Sequence, residues 1–214
     1  MAHQIDAYVT MRSPYSYLAS SRMVEVAALP DVALTLRPVY PIAIRIPDFF
    51  EKSDPMWLSY LVRDTARVAD MLGIPFARPE PDPIVQDMET SRIAEEQPYI
   101  RHLTRLAVAA CDAGKGLDYY AELSRLLFGD MGPWNAGTQM KDAAARAGLD
   151  LDEMEAAIAT DPGAHDAKIT ANEASQRAAG HWGTPLLVYD GEPFFGQDRI
   201  EMCLWRMRQK GWTG

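Results

Sequence analysis

Apolar Ile5, Ala7, Val9 and Met11 alternate with Asp6, Tyr8 and Thr10, which carry polar groups. A period of two predicts a half-buried strand over residues 5–11. The strand runs straight into Ser13-Pro14, and proline suits the first turn of a helix, where its missing N–H is not needed. Tyr15, Ala19, Met23, Val26 and Ala27 then recur at helical spacing up to Pro30, and a further strand is expected over 32–39. The opening is therefore β-α-β, which implies a right-handed parallel crossover.

Beyond it the period changes. Leu58, Leu61, Val62, Val68, Ala69 and Leu72 mark a helical stripe over 55–72, stopped by Gly73 and Pro75. Three prolines within 79–83 predict a rigid connector, and Pro98 puts the start of the next helix near Gln97. Helices are expected over 117–128, 135–147, 151–159 and 162–179, with Gly148 and Gly180 as stops. Strand character returns over 184–189, Asp190-Gly191 is a hairpin signal, 193–195 pairs back, and Ile200, Cys203, Leu204 and Met207 mark a last amphipathic helix. No segment repeats. This order predicts an α/β chain with a thioredoxin-like fold and a large all-helical insertion. Residues 1–40 and 181–214 would form the discontinuous thioredoxin-like domain, and 41–180 the insertion.

A chain of 214 residues, 48% hydrophobic and 24% charged, can bury a full core. Its net charge of -9 argues against nucleic acid or an anionic membrane as main partner, since both reward a basic surface. The first residues lack a basic and then apolar leader pattern, and no apolar run approaches the roughly 20 residues that span a bilayer. A soluble, cytoplasmic protein is expected. Cys111 and Cys203 form no CxxC pair and have no histidine at ligand spacing, which removes dithiol chemistry and predicts no metal. Both share helical faces with apolar residues and read as core.

The junction Arg12-Ser13-Pro14-Tyr15-Ser16 carries the most chemistry. A helix N-terminus stabilises an anion, and a thiolate is one. Ser13 has two readings: a cap bonding its own helix, or a donor to the thiolate of a bound ligand. Gly183-Thr184-Pro185 opens the strand after the insertion. A cis bond before Pro185 would expose the Thr184 N–H and C=O as an edge for a peptide-like ligand. His181, beside Trp182, lies close to that point. Gln197 and Asp198 cap the last helix or hold an amino-acid end group. Tyr60, Asp64 and Arg67, spaced i, i+4, i+7, lie away from the leucine stripe. They form a solvated pair worth under about 1 kcal/mol, or face substrate if their helix roofs Ser13. Arg12 and Arg45 are candidate carboxylate binders.

Four stretches in this order, Ser13-Pro14-Tyr15-Ser16-Tyr17-Leu18-Ala19, Tyr60 to Phe76, Gly183-Thr184-Pro185 and Phe195-Gly196-Gln197-Asp198-Arg199, resemble the 2-hydroxychromene-2-carboxylate isomerases. These are relatives of kappa-class glutathione transferases within the DsbA-type branch of thioredoxin folds. The resemblance implies that Ser13 supports a glutathione thiolate, with Pro14 and Tyr15 beside it. It implies that Thr184 and Pro185 meet the cysteinyl backbone and that Gln197 and Asp198 hold the γ-glutamyl end. It also implies a homodimer, no metal, and isomerisation of an unsaturated aromatic or oxo acid; Tyr60, Asp64, Arg67 and Arg45 are the candidate substrate residues, although 40–54 departs from the family's substrate-facing pattern. A kappa-like transferase or peroxidase that consumes glutathione, and a non-catalytic thioredoxin-fold module that binds peptides through Thr184-Pro185, are the alternatives. The segment Tyr8-Val9-Thr10-Met11-Arg12 departs from the acidic strand usual before the serine.

Overall fold

The computed structural model describes residues 2–87, 89–90, 92–130 and 132–214. The chain opens with β1 (His3–Val9), α1 (Pro14–Ala27) and β2 (Val32–Pro38). β1 and β2 run parallel, Ile5 lying opposite Leu34. After the helices, β3 (Leu186–Tyr189) returns on the free side of β1, antiparallel, with Ile5 opposite Tyr189. β4 (Glu192–Phe195) then pairs antiparallel with β3. The sheet order is β2-β1-β3-β4. The β3–β4 turn uses Asp190 and Gly191 at φ 52° and 77°, the two positive values that a two-residue hairpin of matching twist requires.

Between β2 and β3 lie α2 (Ile42–Arg45), α3 (Phe49–Lys52), α4 (Pro55–Leu72), α5 (Ile100–Asp112), α6 (Gly116–Phe128), α7 (Gln139–Arg146), α8 (Leu151–Thr160) and α9 (Pro162–Ala178); α10 (Ile200–Gln209) closes the chain. This is the expected thioredoxin-like α/β architecture with a helical insertion. Inward Ile5, Ala7 and Val9 of β1 join Met23 of α1, Leu106 of α5 and Leu123 of α6 in the main core. On the other face of the sheet Tyr8, Val39 and Leu186 form a small cluster, and the Tyr8 hydroxyl meets Ser175 Oγ of α9 at 2.9 Å. Alternation along β1 thus separates two buried faces, one on each side of the sheet.

Local signals set several boundaries. α4 spans the residues its stripe predicts, with the Asp54 carboxylate accepting from the Met56 N–H and Gly73 left-handed at the C-terminus. α5 starts at Ile100, not near Gln97, because the buried Gln97 side chain is spent on a loop: it accepts from Val85 N–H and donates to the carbonyls of Val85 and Ala94. α7 starts at Gln139, not 135, because Trp134 is tied to the proline connector through Glu80 O (3.0 Å) and Pro81 O (2.7 Å). The short α2 and α3 were not expected from the sequence pattern.

The leucine stripe of α4 is buried along one edge only. Leu58 is 44% exposed and Val62 53%, whereas Thr65 and Ala69 are buried and Leu61, Asp64 and Val68 half-buried. α4 packs on the molecule along one narrow side, and that side carries Asp64. Among the described residues no helix is long and apolar enough to cross a membrane, and no group of His, Cys, Asp or Glu could hold a metal ion.

Candidate functional site

β1 delivers the chain to Ser13 at the sheet's edge. Ser13 is extended (φ -96°, ψ 115°) and caps α1, its Oγ accepting from the Ser16 N–H at 3.2 Å. The capping reading of Ser13 is therefore realised. As a donor, the hydroxyl has the Thr184 carbonyl at 3.4 Å, beyond the usual O–H···O range. No acidic residue sits in the first turn of α1, so the positive end of the helix dipole is left uncompensated.

Three segments meet around this cap. The Thr184–Pro185 bond is cis, and among the described residues the half-exposed Thr184 N–H makes no hydrogen bond. The Pro185 carbonyl accepts from the Gly196 N–H at 3.0 Å, which brings the turn before α10 alongside. Gly196 has φ 117°, and a Cβ there would lie 2.6 Å from Asp198 Oδ1, so this close turn needs glycine. The Gln197 side chain is half-buried and makes no hydrogen bond among the described residues, and Asp198 pairs with Arg199 at 2.6 Å.

α4 forms the third side. The Tyr15 hydroxyl donates to Asp64 Oδ2 at 2.7 Å, and Arg67 Nη1 reaches Asp64 Oδ1 at 3.3 Å. Burial, then the Asp64 contact, then the charges of Tyr60 and Asp198 push the Tyr15 phenol well above its ordinary pKa. Tyr60 is exposed on the same helix. The structure thus brings Ser13, Tyr15, Asp64, Thr184, Pro185 and Asp198 to one end of the molecule.

Arg45 stands behind the Thr184 loop. Its Nη1 donates to Gln176 Oε1 (3.1 Å) and its Nη2 to the Trp182 carbonyl (2.9 Å), while its buried Nε has no partner. Among the described residues no carboxylate hydrogen-bonds it, and burial lowers its proton affinity. Arg12, the other candidate, is taken: it donates through Nε and Nη2 to both oxygens of Asp82, each at 2.6 Å, clamping the proline connector.

An aromatic run flanks the loop, with successive ring centroids 4.0 Å (Phe195–His181), 5.6 Å (His181–Trp182), 5.5 Å (Trp182–Phe49) and 5.7 Å (Phe49–Trp57) apart. A groove of about 620 Å³ adjoins it, lined by Phe50, Pro55, Leu58 and Val62 among others. Sequence reading did not single out Phe49, Trp57 or Gln176, since nothing local distinguishes a site aromatic or a loop-holding glutamine from an ordinary one. The thiols offer no chemistry here: burial pushes both Cys111 and Cys203 up to about 12.

The model of the DsbA-like thioredoxin domain matches residues 4–207. The chain belongs to that family. Among solved structures it is similar to a 2-hydroxychromene-2-carboxylate isomerase, with TM-score 0.69 and 19% identity over 96% of this chain and 95% of that one. It is also similar to a probable DsbA oxidoreductase from Streptomyces coelicolor, with TM-score 0.68 and 18% identity over 99% and 92%. A third is the cytosolic disulfide reductase DsbM from Pseudomonas aeruginosa, solved with GSH, with TM-score 0.63 and 14% identity over 97% and 99%. At these identities the likeness concerns the fold. Among curated proteins, none matches the sequence.

Proposed function

We propose that this protein binds glutathione at the Ser13 cap and uses it to isomerise an unsaturated aromatic or oxo acid. The observation that carries the reading is the Ser13 hydroxyl, which sits at an uncompensated helix N-terminus with only a long contact, 3.4 Å, to a carbonyl acceptor. A thiolate is a far better acceptor than that distant carbonyl, and the dipole favours its charge. Bound there, glutathione supplies a thiolate nucleophile.

The remaining roles fall to residues already close by. The unbonded Thr184 N–H and its C=O suit the backbone of a cysteinyl residue, next to Pro185. Gln197 and Asp198 suit the amino-acid end of the γ-glutamyl group, with Asp198 exchanging Arg199 for the ammonium. Pro14 and Tyr15 line the thiol. On the substrate side, Arg45, which donates to Gln176 and the Trp182 carbonyl but meets no carboxylate among the described residues, suits a carboxylate, the aromatic run suits a flat conjugated ring, and Tyr60, Asp64 and Arg67 supply polar groups from α4. With serine at both 13 and 16 the chain has no dithiol of its own, so a borrowed thiol is the only nucleophilic sulfur this site would have. A homodimer in the cytoplasm, where glutathione is reduced, completes the proposal.

Calorimetric titration with glutathione, on the wild type and on Ser13→Ala, tests it. Saturable binding is expected, with the bound thiol's pKa below about 8.5 and raised in the variant. Absence of binding at millimolar glutathione removes the proposal. Product analysis then separates the isomerase, which returns glutathione unchanged, from a transferase or peroxidase, which consumes it.

A further inference from the structure

The residue before Thr184 is held from both sides. The Gly183 N–H donates to His181 Nδ1 at 2.8 Å, and the Gly183 carbonyl accepts from Gln176 Nε2 at 2.7 Å. One residue earlier, the Trp182 carbonyl takes the Arg45 bond. A side chain at 183 has no room: a Cβ would lie 2.4 Å from the Phe195 ring and 2.8 Å from the His181 ring. Thr184 follows directly, so these three holders fix where its N–H and carbonyl point.

The holders differ in one respect. Gln176 is fully buried and does not titrate, and arginine keeps its charge at any physiological pH. Histidine changes state near neutrality. A ring nitrogen accepts a hydrogen bond only while it carries no proton, and in imidazolium both nitrogens are donors. The Gly183 bond therefore exists only with His181 neutral.

The surroundings favour that neutral form without help from charge. From β4 the ring meets Phe195, and within the loop it meets Trp182. α2 contributes Arg45, which ends on the Trp182 carbonyl, and Glu173 and Arg177 of α9 act on Arg45. Past β4, Asp198 and Arg199 pair with each other. Burial alone lowers the histidine's proton affinity.

We propose that His181 is a positioning residue that works as a proton-operated latch on the Thr184 edge, holding the Gly183 N–H when neutral and releasing it on protonation. Its consequence for glutathione rests on the function proposed above: affinity falls as the medium is acidified, and the edge is set for binding at neutral pH and above.

The latch is read first in the free protein, by following the Gly183 amide and the His181 ring nitrogens by NMR from pH 8 to pH 5, in the wild type, His181→Asn and His181→Phe. An asparagine oxygen bonds the N–H two residues on in an Asx turn and does not titrate. The wild-type amide is expected to move in step with protonation of His181, with no such transition in H181N. In parallel titrations with glutathione, the ratio of wild-type to H181N affinity, which cancels the thiol's own titration, is expected to fall several-fold over the same interval. H181F should be weak throughout. An amide that ignores the state of His181, or an H181N profile matching the wild type's, overturns the latch. An amide transition in a protein that binds no glutathione supports the latch and overturns the glutathione reading.

Discussion

The hydroxyl of Tyr15 donates to the carboxylate of Asp64 at 2.7 Å, tying the first turn of α1 to the middle of α4. Because the phenol is pushed far above its ordinary pKa, it remains a donor throughout the working pH range. Tyr15→Phe leaves Asp64 with only the long Arg67 contact, at an expected cost of about 1.5–3 kcal/mol in a denaturant melt, as for a hydrogen bond to a charged group. α4 amides should lose protection from hydrogen exchange more than those of α1. Asp64→Asn keeps an acceptor for the hydroxyl and should cost less.

Capping and thiol support by Ser13 can be separated. Ser13→Ala removes the acceptor for the Ser16 N–H and should cost about 1 kcal/mol along with glutathione affinity. Ser13→Asp restores a good cap but opposes a thiolate with a second negative charge. It should melt near the wild-type temperature and bind glutathione least of the three, as calorimetry would show.

Gly183→Ala should be among the more damaging small substitutions. The added methyl meets the Phe195 and His181 rings at 2.4 and 2.8 Å, and overpacking of this kind costs about 1–3 kcal/mol. Thermal unfolding gives the cost. Altered Trp182 fluorescence in the folded variant would report the displaced loop.

The lowered proton affinity of His181 has a sign for stability. The unfolded chain titrates at the ordinary value of 6.5 and the folded one lower, so the unfolded state binds the proton first as pH falls. The stabilisation is whole above 6.5 and is lost as pH drops through the folded value. Between pH 7 and pH 5 the melting temperature should therefore fall more for the wild type than for H181N.

Both thiols should be silent in the native protein. Cys203 is buried, and Cys111 directs its S–H toward the Leu36 carbonyl at 3.6 Å. With burial holding each near 12, a thiol reagent at pH 8 should label neither until denaturant is added, when two equivalents react.

Features that rest on short-range chemistry were legible in the chain before any packing was known. Pro14 behind Ser13 started α1, Asp54-Pro55 and Gly73 bounded α4, Asp190-Gly191 turned the hairpin, and the return from helical to strand period after Gly180 placed β3 and β4. Each is settled by a few neighbouring dihedrals or by one cap. Periodicity says that a helix has faces, but not how much of a face will be covered: of the α4 stripe, Leu61, Val68 and Ala69 pack while Leu58, Val62 and Leu72 face solvent. Packing put Asp64 against Tyr15, left Leu58 and Val62 in solvent, spent Gln97 where a helix start was expected, and tied Trp134 to the proline connector just ahead of another. It alone joined Arg45, Gln176 and His181, from two helices and a loop, on the peptide groups beside Thr184. Those bonds link residues up to 137 positions apart. They depend on how the sheet and the helices pack, which no local pattern encodes.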